Sequence, residues 1–228
     1  MKIVADENLA FTDYFFSEFG AIQHVAGRNL SHQDIVDADA LLVRSVTKVN
    51  AALVQNTALR YVGSATIGTD HLDIQALNAA GIPWSNAAGC NAQAVAEYVI
   101  TALLHLKPEL ISAEQNLCLG IVGLGNVGSR LATMAQLLGW QVIAYDPLVS
   151  KESVTQVDFS ALLAQADAIS IHVPLTKTGQ YPTYHLFNAA SLAKMKQNAI
   201  LINSARGPVV EEAALMQDIR VTNRKVVL

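Results

Sequence analysis

Three glycines and one aspartate carry the most legible chemistry in this chain. In Leu117-Cys118-Leu119-Gly120-Ile121-Val122-Gly123-Leu124-Gly125-Asn126-Val127-Gly128 an apolar run feeds a G-x-G-x-x-G turn. The turn opens a stretch with helical spacing at Val127, Leu131, Met134, Ala135 and Leu138. Gly123 suits the tight turn, Gly125 would let the backbone approach a pyrophosphate, and Gly128 would let helix and strand pack closely. Amides of the first helical turn, with about half a positive charge from the helix dipole, would face the phosphates. Asp146 closes the next strand-like run, Gln141 to Asp146, where a carboxylate can accept from a ribose 2′-hydroxyl. A 2′-phosphate there would meet a like charge, at a cost of roughly 4 kcal/mol at about 4 Å and an effective dielectric near 20. A third of that is already about tenfold in affinity. No Arg or Lys follows until Lys151, so NAD is expected over NADP.

Charged groups gather at other strand ends. Leu201-Ile202-Asn203-Ser204-Ala205-Arg206-Gly207-Pro208 runs from an apolar strand to an arginine whose planar fork suits a carboxylate or phosphate. An isolated arginine is more often a surface ion-pair partner, but this loop lies on the cofactor side of its sheet. Val43-Arg44-Ser45-Val46-Thr47-Lys48 ends another strand with two cations and hydroxyls, and a phosphate would find partners in Arg44, Lys48 and Arg206. The loop from Gly63 to Asp73 could hold an anion on its amides and the Thr66 hydroxyl. Taken alone, it reads rather as a plain connection in which Thr69 or Asp70 caps the following helix. None of the six histidines stands in an obvious base constellation; His105 reads as packing and His172 as support for a cofactor pocket.

Such groups need strands to carry them, and the chain alternates short strands with helices, the pattern of parallel α/β sheets. Strands are expected at Ile3 to Ala5, Ala40 to Val43, Tyr61 to Ser64 and Ile82 to Trp84. Helices are expected at Leu9 to Phe19, Ser31 to Val36, Leu72 to Ala80 and Ala92 to Leu106, the last ended by Lys107-Pro108. Beyond Asp146 the same rhythm predicts helix at 161–164, strand at 168–173, short helix at 191–194, strand at 199–203, helix at 209–219 and the start of a strand at 225–228. This divides the chain into a first domain over 1–95, a linking helical region over 96–115 and a dinucleotide domain over 116–228.

The 228 residues are 52% apolar and 15% charged, which suits buried parallel strands and excludes a disordered chain. A net charge of −4 leaves no basic footprint for nucleic acid. Two cysteines make no disulfide framework, and no Cys/His cluster has zinc-ligand spacing, so no metal is expected. Met1-Lys2-Ile3-Val4-Ala5-Asp6-Glu7 meets acid too soon for a secretory signal, and no apolar stretch reaches membrane-spanning length. A cytoplasmic protein without membrane or nucleic-acid partners is expected.

Five motifs together give the chain a family resemblance. Gly68-Thr69-Asp70-His71-Leu72-Asp73, Asn91 to Glu97 in the pattern N-x-x-x-V-A-E, Val122 to Gly128, His172-Val173-Pro174-Leu175-Thr176 and Asn203 to Gly207 are similar to those of the D-isomer-specific 2-hydroxyacid dehydrogenases. Val43 to Asn50 and Ala88 to Ala92 most resemble a branch acting on a phosphorylated hydroxy acid. The resemblance implies a flavodoxin-like substrate domain and a Rossmann NAD-binding domain, both doubly wound parallel sheets, acting in NAD-dependent oxidation of the acid to its 2-oxo form. By the same resemblance, Ser45 and Thr66 match substrate-binding positions and Asp146 the ribose acid; Asn126 and Val127 match the pyrophosphate loop. Val173 and Ser204-Ala205-Arg206 match the nicotinamide side, with Arg206 as the catalytic arginine. In the family a glutamate and a histidine follow the strand that begins near Lys225, and the 228 residues contain neither position. The dinucleotide domain is therefore expected to be incomplete at its C-terminus, and a homodimer is expected of the longer protein. Other members of the family, of phosphoglycerate or glyoxylate type, and a non-catalytic NAD-binding protein remain alternatives.

Overall fold

The computed structural model describes residues 1–111 and 117–228, and these divide into two compact units, Met1–Cys90 and Asn91–Leu228. Of the linking region expected over 96–115, residues 112–115 lie outside the described residues.

Unit one alternates β1 (Lys2–Asp6), α1 (Thr12–Phe16), β2 (Ala21–Val25), α2 (His32–Ile35), β3 (Ala40–Val43), α3 (Ala51–Val54), β4 (Tyr61–Ser64), α4 (Ile74–Ala79) and β5 (Trp84–Asn86). Its sheet is entirely parallel, in the order β2-β1-β3-β4-β5, the flavodoxin-like order whose direction of winding reverses between β1 and β3. The core gathers Val4, Leu41, Val43 and Val62 from the strands with Ile35, Leu53, Val54 and Leu77 from the helices. β2 has no apolar run to announce it: Ala-Ile-Gln-His-Val is a largely exposed edge strand, held by its register with β1. The expected helix over Leu9 to Phe19 is shorter, because Phe11 sits at φ 61° and Ser17–Phe19 tightens into a 3₁₀ turn. β5 begins at Trp84 rather than Ile82, since the ladder opens where Val62 donates to the Pro83 carbonyl at 3.0 Å.

Unit two runs α5 (Ala92–Leu106), β6 (Cys118–Val122), α6 (Asn126–Leu137), β7 (Gln141–Tyr145), β8 (Thr155–Gln156), α7 (Phe159–Gln165), β9 (Ala168–Ile171), α8 (Ala189–Leu192), β10 (Ile200–Asn203), α9 (Glu212–Thr222) and β11 (Val226–Val227). Its sheet is also wholly parallel, ordered β8-β7-β6-β9-β10-β11, the classical dinucleotide-fold order 3-2-1-4-5-6, with winding reversed between β6 and β9. Every residue of β6, β9 and β10 is buried, so hydrophobic alternation disappears from the sequence exactly where helices cover both faces. One face packs against α5 and α6 through Val99, Leu103, Leu131 and Ala135. The other packs against α7 and α9 through Leu162, Leu163 and Leu215.

α9 starts three residues later than its spacing predicts. Gly207–Val209 forms a 3₁₀ turn and Val210 is extended; both valines are buried, with the Phe187 amide donating to the Val209 carbonyl and the Glu211 amide to the Phe187 carbonyl. The helix then ends at Asn223, whose φ of 56° terminates it. There the buried Arg224 guanidinium binds both Asp218 oxygens and the carbonyls of Leu192 and Lys196, pinning α9 to the end of α8.

Candidate cofactor and substrate sites

The glycine turn of unit two divides its labour among three positions. Gly123 ends β6 at φ +97°, and a Cβ on it would lie 2.7 Å from the His172 carbonyl oxygen. At Gly128 a Cβ would sit 1.9 Å from the Gly123 carbonyl oxygen, so α6 and the turn touch through bare backbone. Gly125, the N-cap of α6, has nothing within 4 Å of its would-be Cβ. No side chain caps that helix, and Gly125 and Asn126 are exposed while Val127 is half-buried. The result is a helix start with uncapped amides and open space in front of it, the arrangement that accepts a pyrophosphate.

Asp146 follows β7 on the neighbouring strand, and its carboxylate is already engaged. One oxygen accepts from the Leu124 amide at 2.7 Å; the other accepts from Leu148 at 2.9 Å and Val149 at 3.0 Å. A carboxylate offers about four lone-pair sites, so these bonds fix its orientation and still leave capacity for a ribose hydroxyl. They also tie the glycine turn to the loop that would border the adenosine. Asp146→Asn is expected to weaken NADH binding about tenfold and to narrow the preference over NADPH, read by titrating both cofactors. An unchanged preference would place the ribose elsewhere.

On the other side of the winding reversal, β10 delivers the arginine loop. Asn203 is buried; its Oδ1 accepts from the Ala205 amide at 3.1 Å and its Nδ2 donates to the Arg206 carbonyl at 3.0 Å. Arg206 is half-buried, with Nη1 donating to the Ala205 carbonyl at 2.9 Å. Ala205 and Arg206 border a cleft of about 780 Å³ with Tyr184, His185 and Leu228, a cleft that neither the glycine turn nor Asp146 lines. Ser204 is linked to His172, whose Nδ1 lies 3.3 Å from its hydroxyl and whose Nε2 lies 2.8 Å from Ser170 Oγ. Burial pushes the His172 imidazole down to about 4, so the ring is neutral at neutral pH. Val173 packs beside Gly123, where a Cβ would come within 2.9 Å of Val173 Cγ1.

In unit one, Ser45 and Thr66 stand two residues past the paired ends Val43 and Ser64 of adjacent parallel strands, on the same carboxyl edge. Ser45 is exposed; Thr66 is half-buried, its hydroxyl 2.9 Å from Ser64 Oγ, which in turn lies 2.9 Å from His71 Nε2. Sequence reasoning passed over Ser64 and His71, although both belong to the loop it singled out. Neither Thr69 nor Asp70 caps α4: Asp73 does, accepting from the Ala76 amide at 3.0 Å. Arg44 is not a free cation. Its Nη2 lies 3.0 Å from Oδ1 of the fully buried Asp6 at the end of β1, next to the winding reversal. In the sequence Asp6 served only as an acid too early for a secretory signal, just past the strand expected at Ile3 to Ala5. Lys48 is exposed, and so is His105, which therefore does not pack as its helical position suggested. Among the described residues no group of three or more His, Cys, Asp or Glu could hold a metal ion.

Comparison with known proteins agrees with this geometry. The sequence model of the D-isomer specific 2-hydroxyacid dehydrogenase NAD-binding domain matches residues 106–225. Erythronate-4-phosphate dehydrogenase of Acinetobacter baumannii (strain SDF) is 71% identical over 228 residues, which are all of this chain and 64% of that protein. Its counterpart in Psychrobacter arcticus is 43% identical over 256 residues, covering all of this chain and 68% of that one. The chain thus spans somewhat under two thirds of the length of the Acinetobacter relatives. Among solved structures, D-lactate dehydrogenase from Aquifex aeolicus with NAD and lactic acid aligns with a TM-score of 0.84 at 22% identity, over 98% of this chain and 74% of that one. NAD-bound 3-phosphoglycerate dehydrogenase of Entamoeba histolytica aligns with a TM-score of 0.80 at 25% identity, over 98% and 78%. With the motif, the strand order and the match to residues 106–225 in agreement, the chain belongs to the D-isomer specific 2-hydroxyacid dehydrogenases, and its second unit is their NAD-binding domain.

Proposed function

We propose that this protein serves the NAD-dependent oxidation of 4-phospho-D-erythronate to its 2-oxo acid, a step of pyridoxal phosphate biosynthesis. The observation that carries the reading is the 71% identity with an erythronate-4-phosphate dehydrogenase along the whole chain, on a turn whose Gly125 faces open space. When bound, the nicotinamide supplies the acceptor for the C2 hydride. The chain's own residues hold and orient. Amides at Gly125, Asn126 and Val127, beside Gly123 and Gly128, take the pyrophosphate, and the Asp146 carboxylate takes the adenosine ribose. Val173, Ser204 and Ala205 flank the nicotinamide, while the Arg206 fork grips the substrate carboxylate so that the C2 hydrogen points at the ring. Ser45 and Thr66, on the carboxyl edge of unit one, bind the substrate, and Arg44, held by Asp6, supports its phosphate. Unit one is thus the substrate domain. The C2 hydroxyl proton would pass to the histidine that the family resemblance places after the strand beginning near Lys225, a position outside the 228 residues.

A homodimer in the cytoplasm completes the reading. Among the described residues no helix is long and apolar enough to cross a membrane. Because the 228 residues lack the family's glutamate and histidine positions, the test is NAD reduction by the longer protein with a panel of 4-phospho-D-erythronate, D-erythronate, 3-phospho-D-glycerate and glyoxylate's reduced form, glycolate. The four-carbon phosphorylated acid should have the highest kcat/KM by at least tenfold. Preference for another acid would assign a different dehydrogenase, and NADH binding with no turnover on any of them would assign a non-catalytic role.

A further inference from the structure

We propose that His172 is a positioning residue whose imidazole holds the Ser204–Arg206 segment in place for the nicotinamide end of the dinucleotide. The inference rests on the NAD-site reading above and concerns unit two alone.

Three contacts converge on this one residue. Its amide continues the ladder past the end of β9, donating to the Val122 carbonyl at 2.8 Å. Its own carbonyl lies against Gly123, close enough that a Cβ there would come within 2.7 Å. Its ring bridges Ser170 Oγ on β9, at 2.8 Å from Nε2, and Ser204 Oγ beyond β10, at 3.3 Å from Nδ1. Ser170 and His172 are two apart on an extended chain, so their side chains share a face and the first bond is local. The second crosses to the arginine loop. One backbone unit therefore ties the start of the pyrophosphate turn to the segment that carries Arg206.

A neutral imidazole has one N–H and one lone pair, and two hydroxyls, each able to donate or accept, satisfy both in either tautomer. Burial keeps the ring in this form at neutral pH. Asn203 holds Ala205 and Arg206 through their backbone, whereas the Ser204 hydroxyl is held by the imidazole. Losing that link frees the residue next to Ala205 and Arg206 while leaving the glycine turn and Asp146 as they are.

The role can be separated from simple packing, because asparagine reproduces the position of an imidazole Nδ1 and glutamine that of Nε2. The 228-residue chain would be titrated with ADP-ribose, which lacks nicotinamide, and with NADH, following nicotinamide fluorescence. His172→Gln keeps the Ser170 side and loses Ser204; it should bind ADP-ribose within twofold of wild type but NADH about tenfold more weakly, with the fluorescence enhancement reduced. His172→Asn should recover most of the NADH affinity. Ser204→Ala should behave like His172→Gln, and it decides the matter alone if the histidine variants do not fold. Equal NADH affinity in His172→Gln, His172→Asn and wild type would overturn the inference, as would parallel weakening of both ligands, which marks packing. Wild-type protein that binds neither ligand would instead refute the NAD-site reading itself.

Discussion

Gly128→Ala is expected to destabilise the dinucleotide unit by about 3 kcal/mol or more, whereas Gly125→Ala, three residues earlier, should fold normally and bind NADH at least tenfold more weakly. The added methyl is the same in both. At Gly128 it would lie 1.9 Å from the Gly123 carbonyl oxygen, a backbone atom of a turn that is itself pressed against His172. Relief requires α6 to move away from β6, and with it Leu131 and Ala135, which are wholly buried. At Gly125 the methyl meets no atom within 4 Å, and φ is −68°, which alanine adopts without strain. Its folding cost is confined to a poorer N-cap, about 1 kcal/mol or less. The methyl does, however, enter the space that a pyrophosphate must occupy to reach the α6 amides. Thermal unfolding and NADH titration of the two variants separate the effects, and wild-type affinity in Gly125→Ala would move the phosphates away from this turn.

In the longer protein, Arg206→Ala should lower turnover of 4-phospho-D-erythronate by at least a hundredfold, with NADH affinity changed only a few-fold. The expected loss is one of orientation: a substrate no longer gripped by a planar fork samples poses in which C2 does not face the nicotinamide. The loop makes the arginine hard to replace. Asn203 fixes the backbone on both sides of Ala205, and Nη1 is anchored on the Ala205 carbonyl, so the rest of the guanidinium has a set direction. Arg206→Lys should recover little, because an ammonium has neither the fork nor that anchoring geometry. Steady-state kinetics would show the loss in kcat/KM for the acid. Full activity in Arg206→Ala would remove it from the reaction and leave the substrate carboxylate to another partner.

Both predictions fall on residues that were readable before any coordinates, and the reason is physical. A dinucleotide turn is local: its glycines lie within six consecutive positions, and each is demanded by a backbone constraint that no other residue meets. Strands covered on both faces, such as Cys118–Val122 and Ile200–Asn203, announce themselves as unbroken apolar runs. What escaped notice depends on contacts between distant segments. β2 has no apolar run, and only its register with β1 makes it a strand. β8 is two residues long, paired to β7. The pairing of Arg44 with Asp6 joins the ends of two strands far apart in sequence, so a cation that read as available for phosphate is already held. The bridge from Ser170 through His172 to Ser204 is invisible for the same reason, since composition does not reveal that β9 and β10 are neighbours. α9 starts late because helical spacing at 209–219 is outweighed by the 3₁₀ turn Gly207–Val209 and the single bridge of Val210 with Phe187.

In each sheet the strand made earliest lies inside, β1 between β2 and β3 and β6 between β7 and β9. Emerging from a ribosome, β6 can gain β7 soon, but its second flank stays bare until β9 has been translated. Cys-Leu-Gly-Ile-Val carries no charge and no proline, the composition that favours pairing with a foreign strand. Parallel topology forbids a hairpin shortcut, so closure must await distant partners and nucleation is slow. A nascent chain that carries β7 but not yet β9 thus exposes an uncharged strand edge, and slower translation over that interval is expected to lower the yield of native protein.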